Sequence, residues 1–398
     1  MDASAARGRS LALSDIGEEV RDTIRPVPGR TYELFSVPAF STGAPEEADG
    51  AQIGSSKRIV QTGDVLICKI NPRINRVWEV GPPANGLPQV ASTEYLVLRL
   101  NDGSLRRWLV WYLRSPAFRR WITRNVEGAT GSHTRAKSPS IMRQLIPLGS
   151  ADQRAGLISQ IEMQTSRISA ADQALRAALT KIAGYKRQLL AMTFSETEQR
   201  WPTVKLAVLV RRGPQNGLYV PKSHYGGGVP ILRIDDFQMG SSKSVTELQR
   251  VKVSAEVASR YLLRAGDIVI NRVNSPSHLG KALAVEERNL PALFESNMMR
   301  IRLSAEVDVR FVELYLRSPG GRGRLIRNAK WAVNQASINQ ADVLGTDIPV
   351  PPRQEQAHIA DTLDAMLSGA DQLGDALRTA MNRVPSLRNQ VLGSVFGA

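Results

Sequence analysis

The chain has 398 residues, enough for two or three domains with real cores, and at 42% apolar it is no disordered tail. Its 52 Lys and Arg against 37 Asp and Glu leave +15, which points to a polyanionic partner, either nucleic acid or an anionic membrane surface. No apolar run approaches the roughly 20 residues of a membrane span, the start MDASAARGRSLALSD lacks a signal peptide's apolar stretch, and the single Cys68 excludes an intramolecular disulfide or a Cys-rich zinc site. A cytoplasmic protein without membrane contact is the expectation.

Residues 1–149 mix β-branched runs with Gly, Pro and Asn turns, the pattern of an α+β domain. TYELFSV, RIVQTGDVLICKI and STEYLVLRL read as strands and RRWLVWYLRS as a short helix. Residues 150–197 have little Gly or Pro and read as one long helix, with Ser150 and Gln153 as a capping box. Its apolar or small residues fall at Leu157, Ile161, Ile168, Ala171, Leu175, Ala178, Ile182, Tyr185, Leu189 and Met192, with Gln164 the one polar interruption.

Residues 198–348 repeat the first pattern, with GVPILRI, GDIVINRV and SNMMRIRL as strands and RFVELYLRS as the matching helix. Residues 349–398 read as a second long helix entered at Pro351-Pro352. Its seam is Ile359, Leu363, Met366, Ala370, Leu373, Leu377, Ala380, Val384, Leu387 and Val391. Pro385 should kink this helix or shorten its regular part.

The chain repeats itself at about half its length. TGDVLICKINPR (Thr62–Arg73) recurs as AGDIVINRVNSP (Ala265–Pro276), and LRSPAFRR (Leu113–Arg120) as LRSPGGRG (Leu316–Gly323), both offset by 203. LIPLGSADQ (Leu145–Gln153) recurs as DIPVPPRQEQ (Asp347–Gln356), and YKRQLLAMTF (Tyr185–Phe194) as LRNQVLGSVF (Leu387–Phe396). A tandem duplication explains four pairs in one order. Both seams alternate steps of four and three over some five heptads, the a/d pattern of a coiled coil. Folding the second helix back along the first gives an antiparallel pair, with the two globular heads at its ends and related by a pseudo-two-fold axis. At 1.5 Å per residue, 40 residues span roughly 60 Å. The alternative is two amphipathic helices, each packed on its own domain.

A search for catalytic motifs fails. There is no G-x-x-x-x-G-K phosphate loop, G-x-G-x-x-G, Asn-Pro-Pro-aromatic, Asp/Glu-x-Lys, G-x-S-x-G or H-E-x-x-H. His133, His224, His278 and His358 are too scattered for a metal site. No catalytic or metal-binding residue is assigned.

Nucleic-acid features are present in both halves. Between Arg99 and Arg143 ten Lys and Arg oppose two acids, and between Arg300 and Lys330 eight oppose three. Phosphate contacts from such segments supply affinity without specificity. Arg119 and Arg120 are the candidates here. Base readout needs Arg, Lys, Asn, Gln, Ser or His on loops. Two corresponding loop pairs fit. KINPRINR offers Lys69, Asn71, Arg73 and Arg76, and its counterpart NRVNSPSHLGK offers Asn271, Arg272, Asn274, His278 and Lys281. GATGSHTRAKS offers Ser132, His133, Arg135 and Lys137, and its counterpart NAKWAVNQAS offers Asn334 and Gln335. Aromatics make up 6% of the chain and do not interleave with these loops, so stacking on single strands is less supported.

YELFSVPAF (Tyr32–Phe40), GDVLICKINPRINRVWEV (Gly63–Val80), GVPILRIDDF (Gly228–Phe237) and IPVPPRQEQAHIADTLD (Ile348–Asp364), in the order head, helix, head, helix, resemble the specificity subunits of type I restriction–modification systems. The first helix entrance, IPLGSADQRAGLISQIE, departs from the pattern, with Gly149-Ser150 in place of Pro-Pro. The resemblance implies an α+β fold: a tandem duplication of two target-recognition domains joined by two long helices forming an antiparallel coiled coil. It implies double-stranded DNA with a split site as ligand. Expected partners are two modification (methyltransferase) subunits, which carry S-adenosylmethionine, and restriction (nuclease/translocase) subunits. The chain itself would be non-catalytic and hold no cofactor. The alternatives are a DNA-recognition adaptor of another defence or modification complex and, from another class, a divergent nuclease or methyltransferase acting alone.

Overall fold

A computed structural model describes residues 10–127, 134–238, 240–275, 277–332 and 335–397. The chain divides into two compact units, Met1–Leu175 with Thr379–Ala398, and Arg176–Arg378. Each unit holds one head together with part of each of two long helices.

The first head is built on strands β1 (Gly17–Val20), β2 (Val65–Cys68), β3 (Val77–Glu79) and β4 (Tyr95–Leu100), in antiparallel order β1-β4-β2-β3. All four residues of β2 are buried, because each face of the sheet carries a core. Val65 and Ile67 face helices α1 (Arg106–Arg114) and α2 (Pro116–Arg124), while Leu66 and Cys68 join Trp78, Tyr95 and Val97 on the other side. RIVQTGDVLICKI is two strands, not one. Gly63, at φ +95°, turns the chain, and Asp64 accepts the Gln61 amide at 2.9 Å. A second, five-stranded sheet carries Thr31–Phe35 at its centre-edge position, between Gln89–Ala91 and Glu46–Asp49.

Helix α3 spans Ala151–Arg200. The capping box forms as expected: Ser150 N donates to Gln153 Oε1 and Gln153 N to Ser150 Oγ.

The second head repeats the first, with β5 (Val210–Asn216), β6 (Asp267–Asn271), β7 (Ala282–Ala284) and β8 (Met298–Leu303) in the order β5-β8-β6-β7. Helices α4 (Val309–Arg317) and α5 (Pro319–Leu325) cover it. Residue-level devices recur too. Arg99 grips the buried Asp64 with two hydrogen bonds, and Arg302 grips Asp267 at the same place. Ser115 caps α2 and Ser318 caps α5. The Tyr112 hydroxyl donates to Leu145 O, and that of Tyr315 to Asp347 O.

The last helix, α6, runs Arg353–Phe396 without interruption at Pro385, so the proline does not shorten it. In the second unit the two helices pair antiparallel: Arg200 meets Glu355, and Lys186 meets Asp371 at 2.5 Å. In the first unit Arg388 donates to Ser169 Oγ, while Leu157 and Ile158 share a core with Val395 and Phe396. The heads hold the helix ends by aromatic contacts. Phe396 packs on Trp108 and Tyr112 in the first unit, and Phe194 on Phe311 and Tyr315 in the second.

The inward stripe differs from the expected seam at alternate positions. Ile161, Ile168, Leu175, Ile182 and Leu189, and Leu363, Leu377, Val384 and Val391, are buried or half-buried. Leu157 and Ile359 are half-buried. Met366, Leu373 and Leu387 are corrected: they stand 47, 54 and 45% exposed, while Leu367 and Gly374 turn inward beside the expected Ala370. Tyr185 and Met192 are exposed as well. The inner alternates of α3 include Thr165, Asp172 and Lys186, polar residues that an apolar pattern passes over.

Candidate nucleic-acid interface

The two loops singled out in each head, some 65 residues apart in sequence, come together through the backbone. In the first head Ile70 pairs with Arg135, Asn71 N donates to Thr134 O at 3.0 Å, and Ala136 N to Lys69 O at 2.9 Å. In the second head Val273 pairs with Ser337 and Asn274 with Ala336, and a further strand, Lys330–Ala332, adds to the edge. The same joint therefore forms twice, each time beside the end of a central strand.

In the first head the loop is tied by its backbone and one side-chain bond. Asn71 and Asn75 adopt left-handed backbone (φ 47° and 52°), which Asn tolerates better than other side chains. Between them Arg73 is carried on a 3-10 turn, and Asn75 Nδ2 ties the turn to Leu113 O at 2.8 Å. Arg73 then faces Arg119, Arg120 and Arg124 across a shallow cleft of about 270 Å³ that also holds Thr123. Among the described residues no carboxylate pairs with these four guanidinia. Arg120 makes one long contact, 3.5 Å, to Gly397 O. Such a cleft suits a phosphate.

Lys69 is half-buried, and its ammonium is held below the usual lysine range by burial and then by the charges of Arg135 and Arg58. Arg135 is half-exposed and pairs with Glu94 at 2.6 Å. Arg76 is half-buried with Nη1 unpartnered, and Lys137 is exposed at the start of the short helix Ser138–Met142. Ser132 and His133 lie outside the described residues.

In the second head the loop is organised differently. Arg322, the counterpart of Arg119, donates from Nε to Leu279 O and from Nη2 to Ser277 O, both at 2.9 Å. His278 Nδ1 lies 2.9 Å from the hydroxyls of both Ser275 and Ser277. Asn274 accepts the Ser275 amide, and Arg272 reaches Ser296 O at 3.3 Å. Two assignments are corrected. Asn271 is fully buried at the end of β6, and Lys281 is 5% exposed with its ammonium spent on Gln238 at 2.6 Å. Burial and then Arg322 lower the Lys281 pKa. Both side chains lie beneath the loop, that of Asn271 with neither amide atom partnered among the described residues. Gln335 is exposed on the strand Gln335–Ser337, and Asn334 lies outside the described residues.

Sequence reasoning missed two contributors. Arg124 was part of the basic segment but not of the site, and only the α2 face shows it beside Arg73. Trp331, 57% exposed on the strand next to Gln335–Ser337, stands within NAKWAVNQAS, so the expectation that no aromatic interleaves with these loops is corrected there. An exposed Trp on a polar loop edge was the available signal. Among the described residues no helix is long and apolar enough to cross a membrane.

No family model matches the chain. It is 25% identical over 277 residues to the type I restriction enzyme StySPI specificity subunit of Salmonella potsdam, which covers 68% of this chain and 59% of that relative. It is 25% identical over 186 residues to the EcoKI specificity subunit of Escherichia coli K12, 46% of this chain and 39% of that one. A putative MjaX specificity subunit of Methanocaldococcus jannaschii is 32% identical over 151 residues, 37 and 35% of the two chains. The chain thus matches less than two thirds of the length of these relatives. A chain in a solved type I R-M system structure superposes with a TM-score of 0.71 at 19% identity, over 98% of this chain and 97% of that one. The HsdS subunit of Thermoanaerobacter tengcongensis gives 0.52 at 19% identity, over 98 and 96%. The chain is a homologue of type I restriction enzyme specificity subunits and shares the HsdS fold.

Proposed function

We propose that the chain is the DNA-reading, non-catalytic subunit of a type I restriction–modification complex, each head reading one part of a split site in duplex DNA. The observation that carries this reading is the recurrence, in both heads, of the same backbone joint between two polar loops at the end of a central strand. One reader duplicated in one chain accounts for it, since two similar but unequal loop sets can select two different short sequences. The basic cleft beside the first loop would add sequence-independent grip.

The helices would place two modification subunits, bearing adenine-N6 methyltransferase activity and S-adenosylmethionine, and the nuclease/translocase subunits would join that core. The exposed apolar side chains of the helices, Met366, Leu373, Leu387, Tyr185 and Met192, offer contact area for such subunits. A cytoplasmic setting follows from a genomic DNA substrate.

Methylome sequencing of a host expressing the whole operon tests the reading. The expected result is a split, adenine-methylated motif. Co-purification of a methyltransferase with the native chain should accompany it. A host without a split motif, or methyl transfer by the highly purified chain alone, would overturn the proposal.

A further inference from the structure

The second head has a cavity of about 540 Å³ that neither recognition loop touches. It opens where β6 begins, at Asp267, whereas the loop from Arg272 leaves the other end of that strand, about 13 Å away at 3.3 Å per residue. Its walls carry Arg212 and Arg302 from neighbouring strands, the 95% buried Arg300, Arg260 from the last turn of the Ser254-capped helix and Arg264 just after it.

The charge count there is unbalanced. The fully buried Asp267 holds Arg302 and lies 3.9 Å from Arg300, which also donates to Leu262 O and Gln215 Oε1. Glu287 is the acid on the cavity wall. Among the described residues Arg212, Arg260 and Arg264 have no carboxylate partner. Arg212 stands directly opposite Arg302 in the strand register. Like charges in that relation destabilise a sheet unless something neutralises them. Burial lowers the affinity of Arg300 for its proton, Asp267 opposes this, and the charges of Arg212, Arg302 and Arg264 add to the lowering.

The first head shows what a balanced version looks like. Arg99 keeps its Asp64, but the residue opposite it in the register is Glu18, and Val97 occupies the place of Arg300. The excess cation at this position therefore belongs to the second head alone and is not a requirement of the fold.

We propose that this arginine-lined cavity is a phosphate-binding site, separate from the loop interface. Three guanidinia without a carboxylate partner around one cavity, those of Arg212, Arg260 and Arg264, match a phosphate in charge and in fork geometry. The cavity falls within the roughly 300–1,000 Å³ of small-ligand sites, and Leu262, Leu263, Leu290 and Pro291 give it an apolar wall. The phosphate could belong to the DNA backbone or to a free nucleotide-like compound.

The experiment uses the full chain and two variants, Arg260→Gln/Arg264→Gln and Arg212→Gln, which change exposed arginines and leave the Arg302–Asp267 pair intact. Pyrophosphate binding is measured by calorimetry, and the salt dependence of binding to a random-sequence duplex by fluorescence. Pyrophosphate should bind the unaltered chain, and the double variant should weaken it at least tenfold, with Arg212→Gln acting in the same direction. A duplex salt slope that also falls by about two identifies the DNA backbone as the source of the phosphate. An unchanged slope with lost pyrophosphate binding identifies a free phosphate compound. Undiminished pyrophosphate binding in both folded variants, or none in the unaltered chain, overturns the site. Neither result touches the loops, whose role is read from cognate against random DNA.

Discussion

The two heads share strand order, caps and the buried Arg–Asp pair, yet they place their spare arginines differently. In the first head the guanidinia gather on α2 beside the loop, where Arg73, Arg119, Arg120 and Arg124 form an open cleft. In the second head the corresponding helix has Gly323 in place of Arg120 and spends Arg322 on holding the loop's carbonyls. Its excess charge lies instead at the far end of the sheet. The duplication preserved what folds a head and released the exposed rim, because the core positions are tied by packing and the rim positions are not.

The largest expected effect comes from exchanging a head. Replacing Trp201–Gly345 with the equivalent head of a relative should change one half of the methylated motif and leave the other, a shift of roughly 10³-fold or more between old and new sites. Methylome sequencing reads it. If both halves changed, or neither did, the heads would not be separate readers.

The aromatic plugs give the next largest effect. Phe194→Ala should cost about 3–5 kcal/mol, since the ring is 2% exposed between Phe311 and Tyr315. Phe396→Ala should cost less, because its counterpart ring is half-buried against Trp108 and Tyr112. Urea unfolding of the two variants compares them, and a larger loss at Phe396 would contradict the packing.

A third difference depends on pH. Glu313 in the second head is buried, and this pushes its carboxyl up to about 7 despite Arg317 at 3.2 Å. The first head has Val110 at that position. A carboxyl raised on folding binds its proton more tightly in the native state. Its contribution is therefore full below about pH 4.5 and is lost as pH rises towards 7, on the order of 3 kcal/mol in all. Unfolding free energies at pH 4.5 and 7.5 should show a flatter decline for Glu313→Gln than for the unaltered chain. An equal decline in both would remove Glu313 from the pH response.

The smallest effects separate grip from positioning. Arg322→Ala should cost about 1–3 kcal/mol of stability and lower discrimination between cognate and random DNA, since two loop carbonyls lose their donor. Arg119→Ala and Arg120→Ala should leave stability nearly unchanged and flatten the salt slope by about one each. Melting temperature and duplex titration at several salt concentrations measure both. A stability loss at Arg120 equal to that at Arg322 would mean that the heads use these arginines alike.

The duplication, the two long helices and the paired loops were legible because repeats and periodic runs are local properties of the string. The inner face of the helices was legible at every second position only. Ile161, Ile168, Leu175 and Ile182 mark it, but Lys186 and Gly374 also point inward, and nothing in an apolar pattern distinguishes a buried lysine stem from a solvated one. The burial of Asn271 and Lys281 was hidden for a related reason: a polar residue after a strand reads as loop whether the chain turns outward or folds under. The second head's arginine cavity gave no signal, since its residues come from four segments joined by strand register.

The pair Lys186–Asp371 in the second unit has a consequence for how the helices can slip. Moving α6 by one heptad in one direction would bring Arg378 opposite Lys186, cation against cation. Moving it the other way would offer Asp364, a carboxylate already within 3.5 Å of Arg310 from the head. A partly exposed ion pair such as this adds little to stability, about 0–1 kcal/mol. Its value here is as a one-sided stop, which penalises the alignment that sets Arg378 against Lys186 in a seam whose Ala, Gly and Leu residues would otherwise let one helix slide along the other.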